Sequence, residues 1–344
     1  MQSQEYVFDP RPNYPLLVTA KRLRDPNSPH VNDPTAYTLV FLHATGFHKE
    51  IWEPIVDDLL AIVKSKGGEQ LRIREIWLID SPNHGDAAIL NEETLSWGYD
   101  LVFGWEQYGR AVHSLLAGLG NGIDTDFTKH RLIGVGHSMG AASVTLSTNF
   151  FPKVKFEALV LVEIMAWNKK LLPGGWTVET NFLARGAASR RDIWASKEDA
   201  YQVFKSRPAW KVWDDRMLRV YVDKGLRSLP TREYPDKEGV TLKCTRKQET
   251  VTFLSSDHSF VYRDFHTFAK RVPIHLMFGA VDDYIPREIK DDIIENAIGG
   301  VQHLASFQRI PGGGHLAPQT HPTGVAKAIY NALTGNVSPE SAKL

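Results

Sequence analysis

Short apolar runs bounded by polar and glycine-containing segments punctuate this chain. They read as Leu16-Leu17-Val18-Thr19-Ala20, Tyr37-Thr38-Leu39-Val40-Phe41-Leu42, Ile76-Trp77-Leu78-Ile79-Asp80 and Leu132-Ile133-Gly134-Val135. Ala158-Leu159-Val160-Leu161-Val162, Ile274-His275-Leu276-Met277-Phe278 and Phe307-Gln308-Arg309-Ile310 follow. Near-continuous apolar runs of this length are the pattern of strands buried on both faces. Between them lie segments of helical period. Ile51 to Lys64 carries Ile51, Ile55, Val56, Leu59, Leu60 and Val63 on one face, and Trp105 to Leu119 and Pro286 to Ile298 behave alike. Strand-helix alternation predicts an α/β layer structure with a mostly parallel sheet and helices on both faces.

From about Asn168 to about His266 the rhythm breaks. This stretch is polar, proline-containing and dense in tryptophan: Trp167, Trp176, Trp194, Trp210 and Trp213. It reads as a mainly helical cap inserted into the sheet domain. The tryptophans are expected to build the cap's own small core, with one or two lining an apolar pocket. The expected organisation is a core of 1–167 and 267–334, a cap of 168–266 and a flexible tail of 335–344.

Composition narrows the field. The 344 residues carry 40 Lys+Arg and 40 Asp+Glu, a formal charge of zero, which gives no electrostatic reason to expect nucleic acid or an anionic membrane as partner. The single cysteine, Cys244, excludes an internal disulfide. No apolar stretch suggests a membrane span, and the N-terminus has no basic-then-apolar signal pattern. The last residues, Ala342-Lys343-Leu344, are a close variant of the Ser-Lys-Leu peroxisomal address, so the expected location is the peroxisomal matrix, through an import receptor, with the cytoplasm as the alternative. Oligomeric state is not legible.

The chemistry centres on Gly136-His137-Ser138-Met139-Gly140, set between an apolar run and Ala141-Ala142-Ser143-Val144. A G-x-S-x-G turn between strand and helix is a nucleophile elbow. Its glycines allow close approach to the neighbouring strand and helix, and the helix start points free N–H groups at the site. A serine needs a base, and the base needs an orienting group. His315, in Pro311-Gly312-Gly313-Gly314-His315, follows the last strand and is the candidate base. Two acids compete to orient it. Asp282 follows the strand at 274–278, and Glu163 ends the strand at 158–162; Asp283 is expected to face away. Candidate oxyanion donors are the N–H groups of Met139 and Thr45, the latter in His43-Ala44-Thr45-Gly46. Asp80 to Asp86 reads as a structural turn. No metal cluster or nucleotide loop is visible, so no cofactor and no metal are expected.

Taken in order, the 43–46 loop, the turn from Asp80 to Gly85, the elbow, Gly279-x-x-Asp282-x-x-x-Pro286 and Gly314-His315 resemble the α/β-hydrolase family over nearly the whole chain. The cap sequences Arg190-Arg191-Asp192-Ile193-Trp194, Phe204-Lys205-Ser206-Arg207-Pro208-Ala209-Trp210 and Tyr221-Val222-Asp223-Lys224-Gly225 are similar to a capped subgroup of fungal peroxisomal lipases and acyl-CoA thioesterase-like enzymes. That resemblance implies a serine hydrolase of a carboxylic ester or thioester with an apolar acyl group under the cap. It also implies a carboxylate at Glu163, whereas the wider family favours Asp282; this chain keeps both. Ala44 departs from the glycine usual in the wider family. A C–C bond hydrolase using the same serine, or a non-catalytic binding protein of this fold, is the alternative.

Overall fold

The computed structural model of the chain describes residues 1–168, 170 and 177–337. Trp176 and the Ala342-Lys343-Leu344 tripeptide lie outside them. The strands, in chain order, are β1 Gln2–Phe8, β2 Val18–Arg24, β3 Tyr37–Leu42, β4 Ile73–Ile79, β5 Arg131–His137 and β6 Phe156–Val162. Then come β7 Ile193–Trp194, β8 Leu226–Ser228, β9 Val240–Leu242, β10 Ile274–Gly279 and β11 Ser306–Ile310. Eight of them form the central sheet in the order β1-β2-β4-β3-β5-β6-β10-β11. β2 runs antiparallel to both its neighbours, β1 and β4, and the other strand pairs of the sheet are parallel. This is the α/β-hydrolase fold.

The buried strands are those with apolar runs. β1 carries no such run, because it is a sheet edge whose residues Gln2 to Glu5 are exposed. Its pairing with β2, rather than its own hydrophobicity, makes it a strand.

Both faces of the sheet are covered. On one side the helices Trp105–Leu116, Met139–Ser147 and Asp257–Arg271 bury Tyr108, Val144 and Phe265 in one apolar cluster. Every residue of Met139–Ser147 is buried, and its lack of an apolar stripe fits a helix enclosed on all sides. On the other side the helices Glu53–Ser65 and Pro322–Thr334 pack together.

The inserted region differs from expectation in three respects. It contains a small antiparallel sheet, β7-β9-β8, among its helices. Those strands are two or three residues long, too short to show a hydrophobic period. Its aromatics do not form a separate core. Trp194, Phe204, Trp213 and Tyr221 belong to the same buried cluster as Ile55 and Ile329 of the core helices. Finally, the helix Asp257–Arg271 passes through position 266 without a break, and its Val261, Phe265 and Phe268 are buried with the sheet domain. The return to the core therefore begins before the boundary expected at 266/267.

Candidate active site

Strand register assembles the site. His137 at the end of β5 pairs with Val162 at the end of β6, and Val162 pairs with Met277 of β10. The next residues along β5 and β6 are Ser138 and Glu163, so these two leave the sheet side by side at its carboxyl edge. Ligand and catalytic groups gather at that edge in open α/β sheets. Two further bonds continue the ladder: Ser138 N–H donates to Val162 O at 3.0 Å, and Glu163 N–H to Met277 O at 2.8 Å.

Ser138 has φ 53° and ψ −115°, and Glu163 has φ 50°. They are the described non-glycine residues at positive φ. Such backbone costs about 1–3 kcal/mol per residue and persists only where packing over-determines it. Here the packing is explicit. A Cβ on Gly140 would lie 2.2 Å from the Leu42 carbonyl oxygen, and one on Gly136 would lie 2.5 Å from the Ala141 backbone. The elbow is this tight because β3, β5 and the following helix meet there.

His315 Nε2 stands 3.1 Å from Ser138 Oγ, and its Nδ1 stands 3.1 Å from Glu163 Oε2. A carboxylate only accepts, so Nδ1 carries the proton and Nε2 presents its lone pair to the serine hydroxyl. The backbone of His315 is pinned twice. Its N–H donates to Asp283 Oδ1 at 2.8 Å, and its carbonyl accepts from His137 Nε2 at 2.8 Å. Asp283 thus supports the loop that carries the imidazole.

Glu163 is fully buried. Its Oε1 accepts from the Gly279 N–H and lies 3.5 Å from Lys290 Nζ. Lys290, equally buried, donates to the carbonyls of Gly279 and Val281 at 3.0 Å each and stands 3.2 Å from Asp282 Oδ1. A buried cation with this many oxygen partners offsets the cost of a buried carboxylate. Asp282 points elsewhere: Arg287 Nε donates to it at 2.9 Å, and 29% of its side chain is exposed. Partial burial pushes its carboxyl up, but Arg287 and Lys290 prevail and hold it below its ordinary range. The structure therefore brings Ser138, His315 and Glu163 into one hydrogen-bonded chain and leaves Asp282 outside it.

The loop after β3 is held by neutral histidines. His43 Nδ1–H donates to Ala44 O at 2.8 Å, and its Nε2 accepts from Ser81 N–H at 3.0 Å. His84 Nε2 accepts from Gly46 N–H at 3.0 Å, while its Nδ1–H donates to Asn83 Oδ1 at 2.7 Å. Burial pushes the His43 imidazole down to about 3 against its bond to Ala44, and burial pushes His84 well below its ordinary value. The turn from Asp80 to Asp86 is thus part of the support for Thr45. Thr45 Oγ1 lies 3.4 Å from Met139 Sδ, so the two expected oxyanion donors are neighbours. The Met139 N–H belongs to the first turn of its helix, where backbone donors have no partner within the helix.

Above Ser138 lies a cavity of about 190 Å³ between core and cap. Phe47, Trp105, Met165, Leu183, Trp210 and Phe253 give it an apolar wall. Arg190 and Glu249, both from the insertion, interrupt that wall. Lys290, His84, Arg190 and Glu249 were not apparent as site residues in the sequence. Lys290 left one signal: it shares a helical face with Ile293 and Ile294, where an unpaired lysine is out of place. Among the described residues, the acidic groups close enough to share an ion, Glu5, Glu50 and Asp86, surround Lys49 Nζ at 3.6, 2.7 and 2.6 Å. No described helix is long and apolar enough to cross a membrane.

Sheet order, elbow and cap define a hydrolase fold, and the sequence agrees. The chain belongs to the alpha/beta hydrolase family, whose sequence profile matches residues 39–328. Its relatives include the type I acyl-CoA thioesterase mpaH of Penicillium brevicompactum, 26% identical over 217 residues, which span 63% of this chain and 46% of that protein. The peroxisomal membrane protein LPX1 of Saccharomyces cerevisiae is 30% identical over 141 residues, 41% of this chain and 34% of that one. The matches thus span under half the length of these relatives. Among solved structures, the peroxisomal alpha-beta-hydrolase Lpx1 from Saccharomyces cerevisiae superposes with a TM-score of 0.71 at 20% identity, covering 99% of this chain and 91% of that one. The thioesterase domain from the curacin biosynthetic pathway follows at 0.62 and 14% identity, covering 97% and 100%.

Proposed function

We propose that the protein is a serine hydrolase of a carboxylic thioester or ester, working through an acyl-enzyme. Ser138 Oγ attacks the acyl carbonyl carbon while its proton passes to His315 Nε2. The developing oxyanion accepts hydrogen bonds from the N–H groups of Met139 and Thr45. Collapse breaks the bond to the leaving thiol or alcohol, which takes the proton from His315. Water then attacks the acyl-enzyme, delivering its proton to His315, and the acid leaves as that proton returns to Ser138. Glu163 holds the imidazole in the required tautomer and stabilises its cation. The single observation that carries this reading is the hydrogen-bonded chain from Ser138 through His315 to Glu163, beside a cavity under the cap.

The thioesterase relatives favour a thioester. The C-terminal Ala342-Lys343-Leu344 and a peroxisomal relative together favour action in the peroxisome, with an import receptor as partner. The test is Ser138→Ala. A fluorophosphonate probe should label the parent and not the variant, and thioester turnover should fall by orders of magnitude with an unchanged unfolding midpoint. A variant as active as the parent would overturn the mechanism.

A further inference from the structure

An ion pair in the wall of an apolar cavity is expensive. Apolar residues of similar volume are often as stable or more so. Arg190 follows the helix Phe182–Ser189, and Glu249 lies on the helix Arg246–Phe253. Arg190 Nη2 donates to Glu249 Oε2, and Nη1 makes a long 3.4 Å bond to the Tyr221 hydroxyl. Its Nε donates to nothing. A guanidinium has five N–H donors in a planar fork, so this one is under-used. It nevertheless lines the cavity, and 22% of its side chain remains reachable.

The pair also borders the reaction centre. A Cβ on Gly46, the residue after Thr45, would lie 2.8 Å from Glu249 Oε1. A polar group of an acyl chain extending from Ser138 past this loop would meet the guanidinium. The space is limited: about 190 Å³, against roughly 150 Å³ for a cavity that admits benzene.

We propose that Arg190, oriented by Glu249, is a specificity-determining residue that selects a compact acyl group bearing a hydrogen-bond-accepting oxygen over a plain hydrocarbon chain. This rests on Ser138 being the acylated residue. Nε is itself buried, so an oxygen acceptor in the acyl group takes an unused Nη hydrogen, whereas an alkyl chain of the same shape leaves it unpaired. A hydrogen bond to a charged group separates the two by roughly ten- to a hundredfold. If the pair only ties the cap to the loop, its loss lowers turnover of both substrates equally.

The experiment uses the full chain and a panel of N-acetylcysteamine thioesters carrying a keto group at successive positions. Each is matched by a methyl-branched hydrocarbon of the same shape. The expected result is a kcat/KM ratio of about tenfold or more in favour of one keto position, falling to near unity in the R190M/E249L double variant. A parent without preference, or a folded double variant that keeps it, overturns the proposal. The matched amides, titrated by calorimetry into Ser138→Ala protein, test recognition without turnover. If no thioester is turned over yet a keto amide binds about tenfold tighter than its hydrocarbon partner, the chemistry assigned to Ser138 fails while the subsite stands. Equal amide binding overturns the subsite alone.

Discussion

Replacing Glu163 by glutamine removes one charge and almost no volume, yet the surroundings dictate a severe outcome. Oε1 receives the Gly279 N–H and faces Lys290. Both are donors, so the amide oxygen of glutamine is held at that position. The NH₂ must then stand where Oε2 was, pointing donors at His315 Nδ1. The imidazole responds by moving its proton to Nε2, the wrong tautomer for accepting one from Ser138. The lost attraction is also large. At the 3.1 Å separation of Nδ1 and Oε2, an imidazolium and a carboxylate attract by about 5 kcal/mol at an effective dielectric of about 20. That corresponds to roughly 10⁴ in rate, the same order as for replacement of a triad aspartate by asparagine. Asp282→Asn breaks bonds to Arg287 and Lys290 but none to the imidazole, so its loss should stay under about tenfold, or ~1.4 kcal/mol. Steady-state kcat on an acyl thioester, with thiol release read by a disulfide reagent, decides between them. A Glu163→Gln variant within tenfold of the parent, or a worse Asp282→Asn variant, refutes the assignment of Glu163.

Lys290→Met leaves Glu163 buried without its cation and should destabilise the fold by about 3–5 kcal/mol in a denaturant melt; a loss below about 1 kcal/mol would show the lysine to be dispensable. Gly140→Ala forces a methyl against the Leu42 carbonyl and should cost about 3 kcal/mol or more, and an unshifted urea midpoint would contradict the tight elbow. Buried His43 and His137 have imidazoles pushed by burial to about 3. The unfolded chain takes up these protons below pH ~6.5 and the folded chain does not, so stability falls as pH falls through that window. Each should cost about 1.4 kcal/mol between pH ~7.5 and ~5.5, and flat stability over that range would show that they can ionise in place.

The local signals reached far into this protein. The apolar runs located every buried strand of the central sheet. The elbow pattern singled out Ser138, and position after the last strand singled out His315, because strand–turn–helix geometry is written in contiguous residues. β1 escaped notice because an edge strand needs a partner more than a hydrophobic run. The short strands of the cap escaped because two or three residues cannot show a period. The acid stayed open between Glu163 and Asp282 because both end strands, and a chain read in one dimension does not say which strand lies beside β5. Register between β5, β6 and β10 decided that, and Lys290 and Arg287 decided where Asp282 points. The Arg190–Glu249 pair joins residues on separate helices, so only packing of the cap over the core could reveal it. Sequence alone determined the fold class and singled out Ser138 and His315 as candidates. Tertiary structure decided the histidine's hydrogen-bond partner and the polarity of the cavity, because both depend on contacts between segments distant in the chain.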